Sequence, residues 1–519
     1  VFGIAHGGLN INGNSRVANN STLASTAEIN LGEATIANSK LISEKNVNAQ
    51  KTTLDLATVS STAGDVYLSD LTVMNNSNLM AKNILQIEKV NLMNANVNGG
   101  VVKLINSKLD NSKVNAVSDI LIKGGSNNNS NILSNGTLTL IAVESANSNI
   151  SSVGEMSVSG ANTLQNSKLF TNGKLKAEGL YANNSSVLAE DTAVIEKSKF
   201  ENSKVYGKNY LTLKSNIVNN SNLSSVDIEI GNSEVRNTKL DAKRHVSFYK
   251  NSIAENIYAD YLQSISVTTD SKIKNSNLRV GYLLLDGVEA ENINANAKYD
   301  LKYYDTRFLG GAVSAYSRDN IILHNIKADY ISADALYVEI KNSDLKASNI
   351  NSIENINITD TNLNNATVRF GGKLRFLRSN GRFSYTIKNS NITGSNIVAN
   401  NSIISDSVLT ATNSIDAEYA TISGTNMSAS RNIYLKQTTI NNSNLVANNS
   451  ISATNANIEN SLVKAINNDI SLQGSKLLNV EAEGRFSYID GTILGNGTTL
   501  KTEEARGIPK VIDGVILRR

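Results

Sequence analysis

The sequence predicts an all-β chain, a right-handed parallel β-helix with about 18 residues in each three-stranded rung. Three observations carry this expectation. A short phrase, Asn-Ser-x-aliphatic, returns at a nearly fixed interval. Apolar and polar residues between its copies alternate in twos, the period of a strand; a helix would space them by three and four. The 519 residues include a single proline, Pro509. A ladder-bonded strand cannot give up its N–H, so this scarcity fits a chain that is nearly all strand.

The phrase or a close variant starts at Asn111, Asn129, Asn147, Asn166, Asn184, Asn202 and Asn220, with steps of 18, 18, 19, 18, 18 and 18. The same frame takes in Asn20, Asn38, Asn76, Asn94 and Asn237, and returns at Asn389, Asp406, Gly424, Asn442 and Asn460. After each Asn come the Ser, an aliphatic residue and a small residue on alternate positions, as in Ser112, Val114 and Ala116. Two more apolar positions follow nine and eleven residues after the Asn, such as Ile120/Ile122, Leu138/Leu140, Leu211/Leu213 and Ile433/Leu435. A third pair is frequent at fourteen and sixteen, such as Val90/Leu92 and Ala456/Ile458. Each unit therefore reads as three short strands joined at polar corners.

A unit of this size cannot bury its own apolar face, but it can bury one against a copy of itself. Stacked rungs lie about 4.8 Å apart, so identical Asn side chains are expected to form a hydrogen-bonded ladder at one corner. Asn also tolerates the left-handed backbone of a tight corner. Right-handed coiling follows from the usual crossover chirality. About 27 rungs at this spacing give an expected length on the order of 130 Å.

Composition narrows the function. Charged residues make up 18% and the net charge is +3, which argues against the basic footprint of a nucleic-acid binder. With no Cys, disulfides, thiol catalysis and Cys-ligated zinc are excluded. No apolar run approaches the length of a membrane span, so stable membrane insertion is not expected. The chain opens at Val1 without a leader, and the expectation is an internal piece of a longer precursor. His6, His245 and His324 are widely separated and no metal-ligand spacing, phosphate loop or nucleophile elbow occurs. No cofactor, metal or catalytic residue is expected. The nearest thing to a catalytic group is Lys302, Asp305, Arg307, Arg318 and Asp319, which a solvated loop explains as well.

The frame blurs in the middle, which divides the chain into regular rungs over 1–296, a β-helix with irregular or inserted stretches over 297–388, and regular rungs with the C-terminal segment over 389–519. The stretch 297–320 is rich in Tyr, and 369–388 is rich in Arg and Lys with no acid. One reading makes them lateral loops or a hairpin that present a binding surface, because Tyr and Arg dominate binding hot spots. The candidates are Tyr303, Tyr304, Arg307, Tyr316, Arg369, Arg375, Arg378 and Arg382. The other reading makes them a wide rung whose aromatics fill the core. "GRFSY" occurs twice, at 381–385 and 484–488, and reads as a rung strand with bulky packing.

The Asn-Ser-x-Leu corner followed by strands such as "GTLTLIA" (136–142), "GKLKAEG" (173–179) and "NYLTLKS" (209–215) resembles the haemagglutinin repeats of filamentous haemagglutinin-like exoproteins. That group includes the adhesins and contact-dependent growth inhibition effectors of two-partner secretion systems. The resemblance is one of repeat style and spans most of the chain. It implies a β-helical stalk, exported through an outer-membrane transporter, that is secreted or held at the bacterial surface and contacts a target-cell receptor or glycan. The alternatives are a polysaccharide-binding or -degrading β-helix of the tailspike or lyase kind, and an autotransporter passenger.

Overall fold

A computed structural model describes residues 1–70, 73–377, 385–511 and 515–518. No helix occurs among the described residues, and every strand pairing described is parallel. Short strands stack as a β-solenoid of about 27 turns, with partners about 18 residues apart. The chain forms two compact units, Val1–Leu262 and Gln263–Arg519.

In the first unit the rung is clearest between Asn111 and Asn220. The first strand of each rung includes Asn131–Ser134, Asn149–Ser152, Lys168–Thr171, Ser186–Ala189 and Lys204–Gly207. Ile132, Ile150, Leu169, Val187, Val205 and Leu223 pair in one inward column. The second strand stacks Leu138, Met156, Leu175, Ala193, Leu211 and Ile228 in the same way. All of these are buried, and burying each larger side chain contributes about 1.5–3 kcal/mol. The expected inward positions, nine and eleven after the Asn, are therefore the core. Where a corner is absorbed, two strands fuse, as in Asn78–Glu88, whose pairing with Asn96–Asp110 shifts register between Ala81 and Ile84.

The corner from third to first strand is where the repeated phrase sits. Asn111, Asn129, Asn147, Asn166, Asn184, Asn202 and Asn220 all have φ between 47° and 49°, in the left-handed region that Asn tolerates better than most residues. That backbone turns the following Ser inward and takes its N–H out of the strand ladder. The N–H is satisfied by the hydroxyl of the Ser one rung on: Ser112 N donates to Ser130 Oγ (3.2 Å), Ser130 N to Ser148 Oγ (3.1 Å) and Ser148 N to Ser167 Oγ (3.1 Å). The column continues through Ser185, Ser203 and Ser221. Each hydroxyl donates in turn to the carbonyl two residues earlier, for example Ser130 to Asn128 and Ser148 to Ala146 (both 2.8 Å). The buried serines thus carry the continuous ladder that was expected of the Asn amides. The amides contribute at intervals, as where Asn166 donates to Asn147 Oδ1 (3.3 Å). A second left-handed corner, between second and third strands, is occupied by Ala142, Gly160, Gly179 and Lys197 in successive rungs.

The second unit repeats this plan. Ile397, Ile415, Ile433, Ile451 and Ile470 stack in the second strand, and Leu409, Met427, Leu445 and Val463 in the first. The hydroxyl ladder reappears where Thr425 N donates to Ser443 Oγ and Ser443 N to Ser461 Oγ. Both irregular stretches fall in this unit. Residues 297–320 form neither a lateral loop nor a hairpin. Leu301–Tyr304, Arg307–Phe308 and Val313–Ser317 are rung strands in parallel register. Leu283 pairs with Leu301, whereas Leu301 pairs with Ile321, so the rung is two residues longer. The extra length lies at the corner after Phe308, where Gly311 has φ 78° and a Cβ would collide with Asn292 Oδ1. In the second stretch Leu363 pairs with Ile387 and Thr367 with Asn391, a rung longer by six residues.

Candidate functional site

The rung geometry fixes where each candidate side chain sits. Tyr303 is not a surface residue. It occupies position eleven after the corner Asn292, pairs between Leu285 and Leu323, and has no exposed surface. Its ring meets Phe308 edge-on at 5.4 Å, and burial raises the pKa of its hydroxyl, which has no hydrogen-bond partner. The aromatic in the core is thus one part of the wide-rung reading that holds.

The other candidates face outward on different strands. Tyr304 lies on the second strand against the His324 ring (5.3 Å), and His324 Nε2 is 2.8 Å from Glu339 Oε1. Arg307 is on the third strand, exposed, 3.9 Å from Glu289. Tyr316 is on the first strand, in an outward column that runs through Asp334 and Asn351 to Arg369. Arg375 is on the second strand in the column of Lys302, Ile322, Glu339 and Asn357. Arg378 and Arg382 lie outside the described residues. The solenoid therefore brings Tyr316 and Arg369 into one column and Lys302 and Arg375 into another, and spreads the rest over three faces.

The group that came nearest to a catalytic set is dispersed in the same way. Lys302 pairs with Asp300 at 3.5 Å, and Asp305 holds a left-handed corner where it accepts from Asn325 (2.7 Å). No group of three or more His, Asp or Glu suited to a metal ion occurs among the described residues. Among the described residues no helix is long and apolar enough to cross a membrane. Most ion pairs among the described residues join neighbouring rungs, as in Lys197–Glu178 (2.8 Å), Lys274–Glu291 (2.9 Å) and Lys464–Glu483 (2.9 Å).

Concave surface is found on the outer face of the second strand in both units. In the first unit a cleft of about 690 Å³ runs beside Glu155, Lys174, Lys176 and Glu196. In the second, a cleft of about 420 Å³ is lined by Lys373, Asp416, Glu418, Tyr434 and Lys436. Its floor is a column in which Val398, Asp416, Tyr434 and Ser452 are paired rung by rung. Burial pushes the Asp416 carboxyl up from its ordinary value and Lys373 pulls it partly back. No hydrogen-bond donor among the described residues reaches that carboxylate. Glu418 is engaged with Lys436 at 2.6 Å, and the Tyr434 hydroxyl accepts from Asn432 Nδ2 at 2.7 Å.

Sequence reasoning missed Asp416 and Tyr434, which lie among regular rungs. A signal was present. Both stand ten residues after a corner (Asp406 and Gly424), between the two buried positions, at the outward position that rungs of the first unit fill with Thr139, Ser157, Lys176 and Val194. The geometry defines the class, a parallel β-solenoid with polar outward faces. The chain matches no family model and no curated protein.

Proposed function

We propose that this chain is a structural and adhesive stalk segment of a large secreted bacterial surface exoprotein of the filamentous haemagglutinin-like, two-partner secretion kind. In this reading it is exported through an outer-membrane transporter and reaches a receptor or glycan on a target cell. The observation that supports it is the self-templating rung: serine ladder, apolar columns and cross-rung ion pairs all join a residue to its counterpart one turn away. Such a chain extends by adding rungs and needs no separate core. It is well suited to spanning distance, and its regular outward columns suit repeated weak contacts with a surface.

The reading as a polysaccharide-cleaving β-helix draws on the same fold but requires reactive groups brought together on neighbouring rungs. Lys302, Asp305 and Arg307 sit on a strand, a corner and another strand, each with a partner of its own.

Fluorescently labelled chain added to cultured cells should bind saturably, and anionic and neutral polysaccharides incubated with it should keep their length. Lack of saturable binding to any cell type tested would remove the adhesive part. Reproducible cleavage lost in Asp305→Asn would replace the structural reading with an enzymatic one.

A further inference from the structure

We infer that the cleft over Lys373–Leu377, Asn396–Ala399, Ile415–Glu418, Ile433–Lys436 and Ile451–Thr454 is a binding trough for a neutral, linear, β-linked oligosaccharide, with a sugar ring on Tyr434 and sugar hydroxyls donated to Asp416. The inference rests on the adhesive reading above and gives it a specific site and ligand class.

Four features of the cleft select this ligand. The first is its acceptor. Asp416 faces outward yet is half-buried, and its carboxylate has no hydrogen-bond donor among the described residues. A carboxylate in that position loses water without gaining a partner, an arrangement that fits a ligand donor better than structural packing. The second is the platform. Tyr434 is 46% exposed on the next rung, and the Asn432 amide that holds its hydroxyl is itself held by Asn449 Nδ2 (2.8 Å) and Ser450 N (3.2 Å). A ring fixed at its edge and open on its face suits the apolar face of a pyranose.

The third feature is charge. Among the lining side chains Lys373 and Lys436 balance Asp416 and Glu418, so a polyanion or polycation gains nothing over a neutral chain. The fourth is shape. Val398, Asp416, Tyr434 and Ser452 follow one another in a straight column at the rung spacing, about 4.8 Å. An extended ribbon-like glycan, as β-linkage gives, lies along such a column, while a coiled or branched one does not.

The test is titration calorimetry of the whole chain with cellohexaose, chitohexaose and a heparin-derived hexasaccharide. At least one neutral hexaose should bind, and more tightly than the heparin fragment. Tyr434→Ala and Asp416→Asn should each weaken that binding about tenfold or more, and Tyr330→Ala, an exposed aromatic off the cleft, should leave it unchanged. Circular dichroism of each variant establishes that it is folded. The inference is overturned if neither neutral hexaose binds at millimolar concentration, if the heparin fragment binds best, or if folded Tyr434→Ala and Asp416→Asn bind as the parent does. Saturable attachment to cells, measured in parallel, reports on the adhesive reading separately. Attachment without hexaose binding defeats only this site.

Discussion

Ser148→Ala removes one hydroxyl from the buried ladder and leaves every apolar column in place. In the native rung Ser148 Oγ accepts from Ser130 N (3.1 Å) and donates to the Ala146 carbonyl (2.8 Å). The carbonyl keeps a second partner, because Asn129 N also donates to it at 3.1 Å. The Ser130 N–H keeps none. The loss therefore falls on one buried donor, and leaving a buried donor unsatisfied costs about 1–3 kcal/mol. Solenoids unfold by segments, so a global melt is a poor reporter of one rung. Amide hydrogen exchange is the better assay. Peptides spanning Ser130 and Ser148 should exchange roughly 5- to 150-fold faster than in the parent, which is the same free energy expressed as an opening equilibrium. Ser157→Ala, at an outward position on the second strand, is the control and should change protection little, within about 0.5 kcal/mol. If Ser148→Ala and Ser157→Ala give equal exchange, the hydroxyl column is incidental and the corner is held by backbone geometry alone.

Leu211 has no exposed surface and stacks between Ala193 and Ile228; Leu211→Asp should cost several kcal/mol, and limited proteolysis should then cut within the surrounding rungs while the parent resists. Tyr303→Phe keeps the ring and deletes a buried hydroxyl without a partner, so it should stabilise its rung by about 1 kcal/mol, read as slower local exchange; faster exchange would mean that the hydroxyl is satisfied in solution. Asp416 carries a pH signature. Its folded carboxyl is raised above the ordinary 3.8, chiefly by burial, so the folded state holds the proton more tightly. That contribution to stability is full in acid and is lost as pH rises through the folded value. Asp416→Asn should accordingly stabilise its rungs at pH 7 and flatten the pH dependence of local exchange just above 3.8; a variant less stable at neutral pH would reverse the sign.

The parts of the fold legible in the sequence were those set by stacking. A residue that must match its counterpart one turn away appears as a repeat, so the corner Asn, the Ser and the inward apolar positions stood out. The frame blurs within 297–388 because a corner requires only a left-handed backbone. Asn256, Asn275 and Asn292 hold left-handed corners before this stretch and Gly311 and Ala347 hold two within it, and Gly or Ala in that role breaks the Asn-Ser phrase without breaking the rung. Tyr303 was misplaced for the same reason. Counted from Asn292 it falls on position eleven, which is inward. The ladder was assigned to Asn because Asn is conspicuous, whereas the atom that bonds between rungs is the hydroxyl of the Ser beside it. A side chain with one donor and two acceptor lone pairs can accept from one rung and donate within its own; at the second corner a buried amide takes such a place, where Asn216 accepts from Ser198 N and donates to the Ile195 carbonyl.

The position that escaped the repeat is the one that lines the proposed trough. Ten residues after a corner, between two buried neighbours, the side chain points outward and stacks on nothing that must match it. In the first unit this column reads Thr139, Ser157, Lys176, Val194, Thr212 and Glu229; in the second, Val398, Asp416, Tyr434 and Ser452. Substitution there costs the fold little, so its variety cannot come from packing and is free to answer to a ligand. The clefts of both units lie over this strand because its outward residues are flanked by charged rows such as Glu155 and Lys174 on one side and Glu196 on the other. A self-templating solenoid thus separates its two tasks by side-chain direction. Inward residues and corners specify the rung, and one outward column per face is left to distinguish one stretch of the chain from the next.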